Sequence, residues 1–161
     1  MNGRVTSLSS RERWVLWLAQ GFGTGRAPRA PGTVGTLPGI GFYLLLAPLG
    51  WGVYLLATLV LFALGIALCD RAARLLGRDD PPSVVWDEIV GYLVTMSAVP
   101  PSLGAIVAGF VAFRVFDIWK PGPIGWLDRR VPGGLGIMLD DLVAGLFALA
   151  TLHLGRAFCP C

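Results

Sequence analysis

The chain is poor in charge. Asp, Glu, Lys and Arg together make up 14% of its 161 residues, against about 25% in an ordinary soluble domain. A disordered segment, a charged coiled coil and a typical soluble enzyme are excluded by that scarcity. Histidine is limited to His153, and the three cysteines, Cys69, Cys159 and Cys161, form no metal-ligand or disulfide framework. Lysine is confined to Lys120, so 12 of the 13 cations are arginine. The net charge is only +3 and the aromatics sit in apolar runs, which argues against nucleic acid as a partner. No signal peptide is expected, because the first ten residues are polar.

What is abundant is apolar sequence, 55% of residues with a mean hydropathy of +0.68. Charge is absent from Ala30 to Cys69, from Ile89 to Phe113 and from Leu142 to Gly155. A membrane-spanning helix needs roughly 20 apolar residues. The gaps therefore predict a single all-α domain over residues 1–161, a polytopic membrane bundle of about five apolar helices arranged in hairpins. These are expected near Val34–Leu49, Gly52–Leu76, Val84–Val99, Leu103–Trp119 and Gly136–Leu154, broken at the Ala47–Trp51 turn and at Pro100-Pro101. Residues 1–29 are expected to lie at the interface. Within them Ser10–Gln20 forms an amphipathic helix, with Trp14, Leu16, Trp17 and Leu18 inward and Arg11 and Arg13 outward. Residues 156–161 are a tail, whose Cys-Pro-Cys has no evident chemistry.

Twelve cations then fall on one side of the layer. Arg4, Arg11, Arg13, Arg26 and Arg29 precede the first span, Arg71, Arg74 and Arg78 join the hairpins, and Arg114, Lys120, Arg129 and Arg130 precede the last helix. Only Arg156 is left for the far end. By the positive-inside rule the N-terminus is cytoplasmic and the C-terminus outside.

The same topology carries the polar clusters to the cytoplasmic side. Asp87 and Glu88 open the third helix behind Ser83, read as its N-cap. Arg114, Asp117 and Lys120 share a face at the end of the fourth, and Asp140-Asp141 lie between apolar runs in the last. Acids at membrane depth cost about 2.5–3.5 kcal/mol each on insertion scales, so an adjacent pair argues for a compensating cation. Oxygen donors without Cys or His favour a hard ion such as Mg²⁺ over zinc. Asp87, Glu88, Asp117, Asp140 and Asp141 are thus the candidate metal ligands, and Arg114 and Lys120 the candidate phosphate-binding pair, assisted by Gly32 and Thr33 at a helix start. Asp87 is the expected general base, with Asp117 and Lys120 completing the catalytic group. No DxDx[TV] or Cys-x₅-Arg nucleophile motif occurs, though Asp117 as a carboxylate nucleophile stays open. Arg129 and Arg130 are assigned to lipid headgroups. His153, at the far end, is expected to be a packed or interfacial residue and not a catalyst. Gly21-Phe-Gly-Thr-Gly25 echoes a dinucleotide loop, but no strand precedes it.

These segments resemble the phosphatidylglycerophosphatase A family. The resemblance rests on Gly21–Gly25, Ala30-Pro-Gly-Thr-Val-Gly-Thr36, Val85-Trp-Asp-Glu-Ile-Val-Gly91, Phe113–Pro121, Trp126-Leu-Asp-Arg-Arg130 and Gly133–Gly145, in order. It implies a Mg²⁺-dependent phosphatase of the bacterial inner membrane that converts phosphatidylglycerophosphate to phosphatidylglycerol among membrane lipids. The family pattern places histidines near Pro82 and Pro132, and their absence here argues against a histidine acid or base. Two other readings stand beside it: a small ion- or proton-coupled transporter, whose acids would be spread through the membrane, and a non-catalytic scaffold with structural acids.

Overall fold

The computed structural model describes residues 8–158. Among them there is no strand. The helices are α1 (Ser10–Ala19), α2 (Pro31–Gly35), α3 (Leu37–Leu46), α4 (Trp51–Leu76), α5 (Trp86–Thr95), α6 (Leu103–Trp119), α7 (Pro123–Arg130) and α8 (Gly133–Phe158), with 3-10 turns at Gly21–Arg26 and Ala47–Leu49.

Three stretches are long and apolar enough to cross a membrane: Pro31–Leu49, Trp51–Leu76 and Gly133–Phe158. Their outward faces are greasy, with Leu45, Leu56, Leu59, Leu64 and Leu154 each more than half exposed, as contact with lipid tails requires. The expected second and fourth helices are reproduced closely by α4 and α6. The first is kinked at Thr36, because Pro38 has no N–H to continue the ladder. The last begins three residues early and runs to Phe158, so residues 156–158 continue α8 and are no tail. Arg4 and the Cys159 and Cys161 pair lie outside the described residues.

The third expected span is corrected. α5 has ten residues, about 15 Å at 1.5 Å each, and eight of them, Trp86 and Ile89–Thr95, are buried. It is the axis of the bundle, packed on α3, α4, α6 and α8. Such a short helix ends inside the protein, where its last carbonyls lack helical partners. Side chains supply them. Tyr54 donates to the Leu93 carbonyl at 2.6 Å and Ser97 to the same oxygen at 3.3 Å, and in the loop beyond the helix Tyr43 donates to the Val99 carbonyl at 2.8 Å. His153 Nε2 lies 3.2 Å from the Ser97 carbonyl, although the residue itself is exposed. Of the five expected apolar helices, then, α5 is a half-helix, and α6, with 17 residues, is about 25 Å long.

At the other end α5 starts without a side-chain cap. Val85 is its N-cap, and the Ser83 hydroxyl instead accepts from Gln20 Nε2 at 3.3 Å. The chain after α4 arrives too early for Ser83 to reach the helix, and the Val85 N–H is taken by the Ala19 carbonyl at the end of α1. α1 itself forms, closed by a capping box between Ser9 and Glu12, but it has no single apolar face. Leu16 and Ala19 are buried, whereas Trp14 and Trp17 remain exposed and pack edge to face with one another. Burial of its inner face on α4, including the Arg71–Glu12 contact of 3.3 Å, leaves the two tryptophans outside.

α8 presses on α5 where both carry glycine. A Cβ at Gly145 would meet the Gly91 carbonyl at 2.5 Å, and one at Gly91 the Asp141 carbonyl at 2.9 Å. Small residues permit this close approach, the usual way apolar helices associate in lipid. Gly145→Val is expected to destabilise the protein by about 1–3 kcal/mol or more by overpacking, read as a lowered Tm in detergent. Gly155→Val, on the same helix with open space around it, should leave Tm unchanged.

Candidate active site

Acids from three helices gather at the end of the bundle where α5 begins. Asp87 and Glu88 occupy its first turn, where carboxylates complement the helix dipole. Asp117 comes from the last turn of α6, and Asp140 and Asp141 sit two turns into α8. The α8 pair is the most enclosed, with 5% and 2% of their surface exposed. Asp117 and Asp141 are within hydrogen-bonding reach of each other, and both interact electrostatically with Asp140. The five sequence-derived acids therefore occupy one locus at one level of the bundle.

Two cations enter this locus. Arg114 Nη1 lies 2.6 Å from Asp117 and 3.5 Å from Glu88, all three side chains being 12–13% exposed. Lys120 Nζ lies 2.6 Å from both Asp140 Oδ2 and Asp128 Oδ1. Burial alone would lower the Lys120 pKa, but the two carboxylates outweigh it and raise the pKa above the usual lysine value, so the ammonium stays charged throughout the physiological range.

The start of α2 closes the site from the side. A Cβ on Gly32 would collide with Glu88 Oε1 and approach Arg114 Nη2 to 3.0 Å, so only glycine lets the backbone lie against this pair. Thr36, one turn on, is buried and returns its hydroxyl to the Gly32 carbonyl at 2.8 Å. Thr33 is half-buried on the same short helix, with Gly32 and not Thr33 making the approach to Glu88.

Two further acids belong here that sequence reasoning did not select. Asp128, on α7, completes the Lys120 bridge. Asp80, in the loop before α5, interacts with Lys120, Asp128 and Asp117, and desolvation first and those two acids next raise its pKa. Both line a rim cleft of about 320 Å³ together with Arg129 and Arg130. A signal for Asp128 was present in the Trp126–Arg130 segment, where it precedes the two arginines. Arg129 and Arg130 themselves are exposed on the last turn of α7, outside the ion-pair locus, with Arg130 stacked 5.9 Å over the exposed Trp126.

Seven carboxylates thus share this end with two paired cations, and the pairing is incomplete. Asp87 Oδ1, Glu88 Oε2, Asp140 Oδ1 and Asp141 Oδ2 are buried without a hydrogen-bond partner, as is Arg114 Nε, while Arg114 Nη1 has only its ion pairs. Each such atom costs about 1–3 kcal/mol, more when charged. Among the described residues no three of these acids stand together closely enough to hold a metal ion as they are placed. What the arrangement sets side by side is hard, unsatisfied oxygen, the donor type of divalent cations, and guanidinium and ammonium groups, the donor type of phosphates.

Fold and site define a membrane helical protein with a polar, phosphate-compatible centre at one end of its bundle. The family model of phosphatidylglycerophosphatase A matches residues 17–156, and the chain belongs to that family. It is 45% identical over 141 residues to the phosphatidylglycerophosphatase A of Escherichia coli (strain K12), covering 87% of this chain and 81% of the relative. A Haemophilus influenzae relative of the same name is 43% identical over 134 residues, 82% of each. A protein of Bacteroides thetaiotaomicron, provisionally named a phosphatidylinositol-3-phosphatase, is 36% identical over 148 residues, 86% of this chain and 91% of the relative. No solved structure matches the chain.

Gly32→Ala is expected to push Glu88 off Arg114 and lower phosphate release at least about tenfold, the scale of a lost charge-assisted contact. Its Tm should stay near that of the parent. Gly41→Ala, where a Cβ meets nothing, should keep full activity.

Proposed function

We propose that this chain is a Mg²⁺-dependent phosphatase of the bacterial inner membrane that hydrolyses the phosphomonoester of phosphatidylglycerophosphate, from the cytoplasmic side, to phosphatidylglycerol and phosphate. Family membership supports the reaction. The observation that carries the metal is the set of buried, unpartnered carboxylate oxygens on Asp87, Glu88, Asp140 and Asp141. A buried anionic centre of this kind is stable only with a counter-cation or with bound protons. Asp87, Glu88, Asp117, Asp140 and Asp141 would hold the ion. Mg²⁺ bound there supplies Lewis-acid stabilisation to the reacting phosphoryl group and its attacking water.

The chain's own residues supply the rest. Arg114 and Lys120 bind the non-bridging phosphate oxygens, with the Gly32 and Thr33 backbone alongside. Asp87 has a free oxygen and no cationic partner, which suits it to take the proton from water. The water oxygen forms the new P–O bond as the bond to the glycerol oxygen breaks, and that oxygen leaves with a proton. Asp117, held by Arg114, orients that guanidinium. The acyl chains stay beside the exposed apolar faces of the bundle, and Arg129, Arg130 and Trp126 meet headgroups at the interface. The crowding of acids at one end speaks against an ion pathway running through the layer.

In detergent or vesicles, phosphate release from phosphatidylglycerophosphate should require Mg²⁺ and stop with excess EDTA. Ion flux in liposomes without phosphate release would favour a transporter. Phosphatidate, lysophosphatidate and phosphatidylinositol 3-phosphate, tested in parallel, should be poorer substrates. Asp141→Asn should lose at least about 10²-fold in kcat, while its metal-free Tm stays equal or rises, because a buried uncompensated charge has gone. Retained turnover with a lowered Tm would point to a purely structural acid.

A further inference from the structure

We infer that Asp128 is a positioning residue for the phosphatase reaction, and that α7 exists to bring it to Lys120. This rests on the reading of Lys120 as a phosphate-binding group. Lys120 ends α6 in a left-handed conformation, φ 45°, a placement that costs a non-glycine residue of the order of 1 kcal/mol or more. A chain turn alone would be better served by glycine. The conformation is held from three directions. The Lys120 N–H bonds to the Phe116 carbonyl at 2.8 Å, Gly125 of α7 packs against the Lys120 carbonyl, and the ammonium is shared by Asp128 and Asp140 at 2.6 Å each.

The two carboxylates differ in environment. Asp140 is buried among the acids of the centre, whereas the Asp128 side chain is about one-third exposed at the rim cleft. Asp140 alone would draw the ammonium inward, onto the acids. The opposing pull of Asp128, which lines the cleft, holds Nζ toward the rim and away from the buried acids, so that it stays accessible to a phosphate. α7 has only this mount to offer: Ile124 and Gly125 anchor it, and its remaining side chains lie largely at the surface. Asp128 touches no part of the proposed phosphate. It acts through Lys120.

The loss of a positioning contact to a phosphate donor weakens ground and transition states together, and so appears in KM. Asp128→Asn is expected to raise KM for phosphatidylglycerophosphate about tenfold, with kcat within about threefold of the parent. The inhibition constant of inorganic phosphate should rise in parallel, and Asp128→Glu should restore most of both. An unchanged KM and phosphate inhibition in Asp128→Asn, with Lys120→Ala impaired, would overturn the inference while leaving Lys120 in its role. Full activity in Lys120→Ala would remove the reading on which it rests. Equal losses in Asp128→Asn and Asp128→Glu, accompanied by a fall in Tm, would reduce Asp128 to a structural ion pair and overturn it as well.

Discussion

A helix of ten residues cannot cross a hydrocarbon layer of about 30 Å, and α5 is such a helix at the centre of a membrane bundle. Everything about the surrounding elements answers that constraint. Backbone carbonyls released at its C-terminal end have no water to turn to, so Tyr54 of α4 and Ser97 beyond α5 donate to that of Leu93, and Tyr43 of α3 serves Val99 in the loop that follows. At its N-terminal end the positive pole of the helix is left uncapped by any side chain and faces the acids instead. The half-helix thus converts a problem of hydrogen bonding at one end into an electrostatic resource at the other.

The acids need more than one dipole. Glycines at the α5–α8 crossing bring Asp141 onto the same level as Asp87, and a glycine in α2 lets the backbone lie against Glu88 and Arg114. These contacts are packing devices, yet their effect is to fix where charge accumulates. Arg114 and Lys120 neutralise part of it, each shared between two carboxylates. Oxygens remain without partners after that sharing. Sites that retain unsatisfied polar groups at a cost in stability are commonly those where chemistry occurs.

Much of this was legible in the residue order because charge is so rare. A gap of 40 uncharged residues leaves few ways to fold, and the limits of α4 and α6 follow closely from it. The acids stood out for the same reason, since each interrupts or borders an apolar run. What escaped was set by tertiary contact. A buried half-helix and a spanning helix have the same composition, so α5 was read too long. Ser83 looked like a cap by type and spacing, but Gln20, 63 residues away, claims it. α7 was missed because Pro123–Arg130 mixes proline, glycine and charge, a composition that reads as loop. Asp80 and Asp128 escaped with it, for they lie in surface segments where a carboxylate ordinarily means nothing more than solubility.

The distribution of cations carries one further consequence. Arg114 and Lys120 are engaged by acids, so under the proposed function phosphate binding would exchange carboxylate contacts for phosphate contacts and not simply add new ones. A dianionic phosphomonoester competes well for a guanidinium shared between Glu88 and Asp117, but displaced carboxylates would then be buried with still fewer partners. The exchange is favourable only if positive charge reaches the displaced acids at the same time. In the proposed reaction cation and phosphate binding would therefore be linked, each strengthening the other by the same factor. That reciprocity would let an acid-rich pocket receive a doubly negative group at all.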